Sequence, residues 1–188
     1  MTTNADELFD PSRLMAEADL LVPENEVRSA IMRMAGEVTA QLHDANPVVL
    51  CIMNGGLIFA GQLLTGLPFP LEIDYIHATR YGDSTSGARL QWVVRPRLPL
   101  QGRTVLLVDD ILDEGITLAA IADYCRKMGA VNVLMAVLVE KLHLRKVTPG
   151  MKADFTGIEV GDRFLFGYGL DYKGYWRNAA GIYAVKGL

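Results

Sequence analysis

The stretch Val105 to Thr117, VLLVDDILDEGIT, holds the groups of this sequence best suited to chemistry. An apolar run that reads as a buried strand delivers two adjacent acids, Asp109 and Asp110, to its carboxyl end, and Asp113, Gly115 and Thr117 then turn the chain into a helix. A helix N-terminus offers unpaired N–H groups and the positive end of the dipole, which suit a phosphate. Paired carboxylates suit the hydroxyls of a sugar, or an Mg²⁺ that keeps most of its waters. One loop can therefore hold a sugar phosphate. Standing alone, the acidic pair would equally fit a solvated first turn of a helix, where the dipole favours acids.

Other patterns carry less. Gly56 and Gly61 have the spacing of a Walker loop, but Gln62 and Leu63 replace the lysine and hydroxyl that the β/γ-phosphates and Mg²⁺ require. Gly82-Asp83-Ser84 lacks the GxSxG elbow of a serine hydrolase. His43, His77 and His143 show no zinc-ligand spacing and read as surface or packing residues. Cys51 and Cys125 lie far apart in apolar stretches, which gives neither a disulfide framework nor a CxxC motif and points to a reducing compartment.

The elements needed to position the acidic loop are legible on either side of it. Glu24 to Asp44 places Val27, Ile31, Met34, Ala35, Val38 and Leu42 on one helical face. Residues 48–53, VVLCIM, form a short apolar strand that breaks at Asn54-Gly55-Gly56 and continues as a helix, LIFAGQLLTGL. Leu71 to Thr79 alternates like a strand, Arg80 to Gly87 reads as a mobile loop, and Leu90 to Val94 reads as the second strand of a hairpin. After the strand at 105–108 come a turn over Asp109 to Thr117, a helix over Leu118 to Met128 and a strand over Val131 to Glu140. Phe164-Leu165-Phe166 and Gly181 to Val185 read as short strands of an appendage. Two βα units predict an α/β fold with a mainly parallel central sheet flanked by helices, and a ligand crevice beyond the carboxyl ends of the strands.

The chain has 188 residues, 51% apolar and 21% charged, which suits one domain spanning 1–188. Its net charge of −4 disfavours a nucleic-acid partner, which needs a basic face. The polar, acidic opening MTTNADELFDPSR is unlike a signal peptide, and no apolar run approaches the ~20 residues that cross a bilayer. These features predict a cytoplasmic protein with no membrane partner.

The acidic stretch resembles the signature for 5-phosphoribosyl-1-pyrophosphate (PRPP) in type I phosphoribosyltransferases. Three further motifs, in the same order as in that family, narrow the resemblance to its hypoxanthine-guanine branch. Met53-Asn54-Gly55-Gly56 is similar to the pyrophosphate-binding turn, Arg80-Tyr81-Gly82-Asp83-Ser84-Thr85 to the catalytic lid, and Asp162 to Arg177, DRFLFGYGLDYKGYWR, to the base-binding motif. The resemblance covers residue 48 to the end.

It implies Mg²⁺-dependent transfer of a phosphoribosyl group from PRPP to N9 of hypoxanthine or guanine, a small hood built from the C-terminal and N-terminal segments, and a homodimer or homotetramer. Asp109 and Asp110 would hold the ribose hydroxyls directly or through Mg²⁺, and Asp113 would share the purine N7 proton. Asp113, Glu114, Gly115, Ile116 and Thr117 would bind the 5-phosphate; Asn54, Gly55 and Arg177 would meet the pyrophosphate. Lys141 would donate to the purine O6, Phe164 would stack on the base, the Leu165 backbone would meet its edge, and Asp171 would approach base and metal. Arg80 and Tyr81 would belong to the lid, and the Met53–Asn54 peptide would be cis. The alternatives are a different purine, such as xanthine, or a protein that only senses PRPP or nucleotides. From residue type alone, Lys141 also fits a surface lysine, Phe164 a core residue and Arg177 a cation–π partner of Trp176. Three positions depart from the family pattern: Asn54 stands in place of a lysine, Arg80 of a serine and Glu114 of a threonine.

Overall fold

The computed structural model describes residues 9–81 and 89–188, of which residues 80, 81, 89 and 90 are described by their backbone alone. A six-stranded sheet runs through the molecule in the order β4 (Arg89–Val94), β3 (Glu72–Tyr81), β2 (Val48–Met53), β5 (Thr104–Leu112), β6 (Asn132–Leu142), β7 (Phe155–Gly161). All neighbours are parallel except β3 and β4, which form the expected hairpin.

Alternation along these apolar strands builds two cores at once, because successive side chains leave opposite faces of a sheet. Val49, Cys51, Leu106, Val108, Leu134 and Ala136 face α2 (Glu24–Leu42) and α3 (Gly56–Thr65), packing on Ile31, Met34, Val38 and Phe59. Val48, Leu50, Val105, Leu107, Val133 and Val137 face the other way, onto Leu118, Ile121 and Cys125 of α4 (Ile116–Lys127). Burial on both faces is why β2 and β5 read as continuous apolar runs.

Three of the boundaries that differ from the sequence reading bear on the crevice. Asp109 and Asp110 are the sixth and seventh residues of β5 rather than part of a turn, because the parallel ladder with β6 continues through Asp109↔Val137 to Leu112↔Glu140. β3 likewise extends through Arg80 and Tyr81, which pair with Leu90 and Arg89; residues 82–88 of the expected loop lie outside the described residues. The helix after the acidic loop starts at Ile116 rather than Leu118, where Gly115 takes φ +80°.

A second sheet, antiparallel and three-stranded, has the order β1 (Asp19–Pro23), β9 (Gly181–Ala184), β8 (Leu165–Phe166). It joins the N-terminal segment to the C-terminal one and forms the small hood over the carboxyl ends of the main strands. The short helix α1 (Pro11–Glu17), N-capped by Asp10, is tied to it where the Trp176 indole donates to the Pro11 carbonyl over 2.6 Å. Among the described residues no helix is long and apolar enough to cross a membrane.

Candidate active site

The strand ends and the hood enclose two adjoining hollows. The larger, about 450 Å³, is floored by Asn54 and Gly55 after β2, by Asp109 and Asp110, and by Gly115 and Thr117 at the start of α4. The smaller, about 170 Å³, lies between Lys141 at the end of β6 and Phe164, Leu165 and Leu170 of the hood. Asp110, Ile111, Asp113 and Asp171 border both. A polar chamber next to a narrow one with an aromatic and an ammonium in its wall suits a charged sugar phosphate beside a flat heterocycle.

The floor is built by close backbone approach. At Gly55 a Cβ would lie 2.3 Å from the Asp110 carboxylate. Gly169 of the hood, at φ +112°, rests on the same turn, and a Cβ there would lie 2.3 Å from the Gly55 carbonyl oxygen. The Met53–Asn54 peptide is cis, as the resemblance implies.

Asp109 and Asp110 are each 8% exposed, and the Asp109 carboxylate accepts the Asp110 N–H over 3.0 Å. Burial raises both carboxyls above their usual range, Asp109 the more because Asp110 lies beside it. Among the described residues, the guanidinium beside them is that of Arg177, 3.7 Å from Asp110, and it also pairs with Asp171 and donates to the Gly169 carbonyl. Asp109, Asp110 and Asp171 line the same hollow and offer the hard carboxylate oxygens that a hydrated divalent ion takes.

Asp113 lies at the boundary of the two hollows. Lys141 Nζ donates to one of its oxygens over 3.0 Å, and His143 Nε2 meets the other at 2.7 Å. Burial alone would raise this carboxyl; the hydrogen bonds from Lys141 and His143 outweigh it and hold the group below the usual carboxylate range. Lys141 is 8% exposed and also lies 3.7 Å from Asp162, which is drawn to about 2 by Arg145 at 2.5 Å. Ligand atoms of Asp113, His143 and Asp162 fall within 4.8 Å of one another, yet the Lys141 ammonium already serves both carboxylates as their cation.

Phosphate could settle at α4, where Gly115 and Thr117 line the large hollow. Glu114 is not among its described lining residues; its carbonyl accepts the Val147 N–H over 2.7 Å.

The model of the phosphoribosyl transferase domain matches residues 21–173. The chain belongs to the phosphoribosyltransferase family. This phosphoribosyltransferase is 32% identical over 168 residues to the hypoxanthine-guanine phosphoribosyltransferase of Bacillus subtilis, covering 89% of this chain and 92% of that one. It is 29% identical to a hypoxanthine-guanine-xanthine phosphoribosyltransferase of Tritrichomonas foetus, over 89% and 91% of the two chains. A solved hypoxanthine-guanine-xanthine phosphoribosyltransferase superposes with a TM-score of 0.82 at 28% identity, over 92% of this chain and 99% of the other.

Within this phosphoribosyltransferase, Asn54, Gly55, Asp109, Asp110, Asp113, Gly115, Thr117, Lys141, Phe164, Leu165, Asp171 and Arg177 line the two hollows, while Glu114 and Ile116 are not among their described lining residues. Lys141 is buried rather than a surface lysine, and Phe164 is 48% exposed at the mouth of the small hollow rather than in the core. Arg177 turns into the site, and the Trp176 indole is engaged with Pro11 instead. Leu165 is buried in β8 and lines the small hollow. The side chains of Arg80 and Tyr81 lie outside what is described. The sequence reading missed His143, which it assigned to surface or packing, and the ion-pair role of Asp162. Spacing held a clue: Lys141, near the end of β6, and His143, just past it, are two residues apart, and both reach Asp113.

Proposed function

We propose that this phosphoribosyltransferase transfers the 5-phosphoribosyl group of PRPP to N9 of hypoxanthine or guanine, forming IMP or GMP and pyrophosphate. The observation that carries this reading is Lys141, whose ammonium lies 3.0 Å from Asp113 in the wall of the narrow hollow and so pairs a donor for a 6-oxo group with a carboxylate for a ring nitrogen.

In this reading the base enters between Phe164 and Ile111, with the Leu165 backbone at its edge. Lys141 donates to O6, and Asp113 takes a share of the N7 proton as N9 attacks the anomeric carbon and the bond to pyrophosphate breaks. Asp109 and Asp110 hold the ribose hydroxyls; the turn from Asp113 through Glu114, Gly115 and Ile116 to Thr117 holds the 5-phosphate with its N–H groups. Arg177 and the backbone at Asn54 and Gly55 face the pyrophosphate, while Arg80 and Tyr81 belong to the cover that keeps water from the cationic centre. An Mg²⁺ held by Asp109, Asp110 and Asp171 would neutralise charge on the leaving group.

Residues 1–188 act as one domain of a cytoplasmic homodimer or homotetramer, with PRPP and a purine base as partners and no nucleic acid or membrane. The Tritrichomonas relative makes xanthine the second candidate base. Turnover with PRPP should be measured on hypoxanthine, guanine, xanthine and adenine. Adenine sets its 6-amino donor against the Lys141 donor, so its kcat/KM should fall short by several orders of magnitude. Comparable values for adenine and hypoxanthine would refute the assignment.

A further inference from the structure

We infer that His143 is a positioning residue, whose imidazole, with its proton on Nε2, fixes the Asp113 carboxylate while Lys141 turns to the purine. This deepens the proposed reaction and rests on the role given there to Asp113.

Two side-chain donors hold Asp113 among the described residues. Lys141 Nζ takes Oδ2 at 3.0 Å and His143 Nε2 takes Oδ1 at 2.7 Å. They differ in what else they must do. Lys141 is shared with Asp162 at 3.7 Å, and in the reaction it has to serve the purine O6 as well. His143 faces no such competitor. Its side chain is only 5% exposed, and its second nitrogen, Nδ1, accepts the Arg145 backbone N–H over 3.0 Å.

That second contact assigns the tautomer. A backbone N–H can only donate, so Nδ1 is the bare acceptor, and in the neutral ring the hydrogen sits on Nε2, aimed at Asp113. Arg145 is itself anchored by two hydrogen bonds to Asp162, at 2.5 and 3.0 Å. A chain of contacts therefore runs from Asp162 through Arg145 and His143 to Asp113, and neither Arg145 nor His143 has been given a contact with substrate. The charged groups facing the ring are Asp113, the Lys141 ammonium, Asp162, and Arg145, whose guanidinium also feels Glu114.

A carboxylate has about four lone-pair sites, so two donors leave acceptor capacity for N7. Without His143, Asp113 would be held only by the ammonium that the purine recruits, and fewer bound complexes would have the base aligned. The ribose contacts of Asp109 and Asp110 would be untouched.

Nitrogen-15 NMR of the unaltered protein at neutral pH reads the ring directly. The expected result is a hydrogen on Nε2 of His143 and none on Nδ1; a hydrogen on Nδ1 would overturn the inference. In turnover with PRPP and hypoxanthine, H143L should lower kcat by about 10–100-fold, the worth of one hydrogen bond to a charged group, with KM for PRPP unchanged. H143Q, which restores an N–H of similar reach, should recover most of that loss. Normal kcat in H143L, or equal loss in both variants, would overturn the positioning role. D113N measured alongside separates the two ideas: if it is slow while H143L is normal, only the role of His143 falls, whereas full turnover in D113N removes the assigned base itself.

Discussion

At Asp113, burial and hydrogen bonding push in opposite directions, and hydrogen bonding wins. With its folded-state pKa depressed, the carboxylate stabilises the protein above its unfolded value near 3.9, and that contribution is lost as pH falls through the folded value. At neutral pH it is therefore ionised and able to accept. Asp113→Asn should cut kcat by about 10²–10⁴-fold with PRPP affinity largely kept, as for loss of a general base. Asp110→Asn should weaken PRPP binding as well, since its carboxylate is assigned to ground-state contacts. Near-normal turnover of the Asp113 variant, with chemistry shown to limit the rate, would move the proton transfer elsewhere.

Glu114 is the neighbouring anomaly. A carboxylate about 6 Å from a phosphate, at an effective dielectric near 20, is repelled by roughly 3 kcal/mol per pair of unit charges. Glu114→Thr should therefore lower KM for PRPP with little change in kcat. A KM that stays the same or rises, with the fold intact by circular dichroism, would show that the carboxylate is tolerated or structurally needed.

Among the elements, the decisive feature is how far β5 runs. Its ladder with β6 carries both acids inside the sheet, so Asp109 and Asp110 are held by the rigid backbone of a central strand rather than by a loop. The hood is set against the neighbouring turn after β2 by the close approach of Gly169 to Gly55. Gly169→Ala would have to adopt a left-handed conformation and displace the Gly55 carbonyl. It should destabilise the fold by about 1–3 kcal/mol, measured by urea unfolding, and raise KM for the purine. Unaltered stability would mean that the hood lifts away from the sheet without cost.

For the whole molecule, the outer face of β2, β3 and α3 is unusual. Leu57, Ile73 and Tyr75 are 54%, 58% and 41% exposed around a hollow of about 470 Å³ that also touches Cys51 and Met53. An apolar patch of this kind, directly behind the turn at Asn54, suits contact with a second copy of the chain. Ile73→Glu should give a smaller species in sedimentation velocity. An unchanged mass would refute self-association through this face.

The amino-acid pattern by itself determined the central layers. VVLCIM and VLLV are continuous apolar runs because parallel strands buried on both faces can contain little else, and the polar breaks at Asn54-Gly55 and Asp113-Glu114-Gly115 mark where those strands leave the core. The periodic faces of α2 and α4 were legible for the same reason. β1 and β7 were not. β1 is five residues long and is defined by pairing with β9, far along the chain, while β7 exists as a strand because β6 offers it an edge. His143 shows the same limit at a single side chain: the Asp113 it meets is thirty residues away, and its nearness to Lys141 in the chain does not name that partner. Local sequence encodes which side chains must leave water; which polar groups then face one another depends on strand register and on how the hood closes, and those are fixed only when the whole chain has packed.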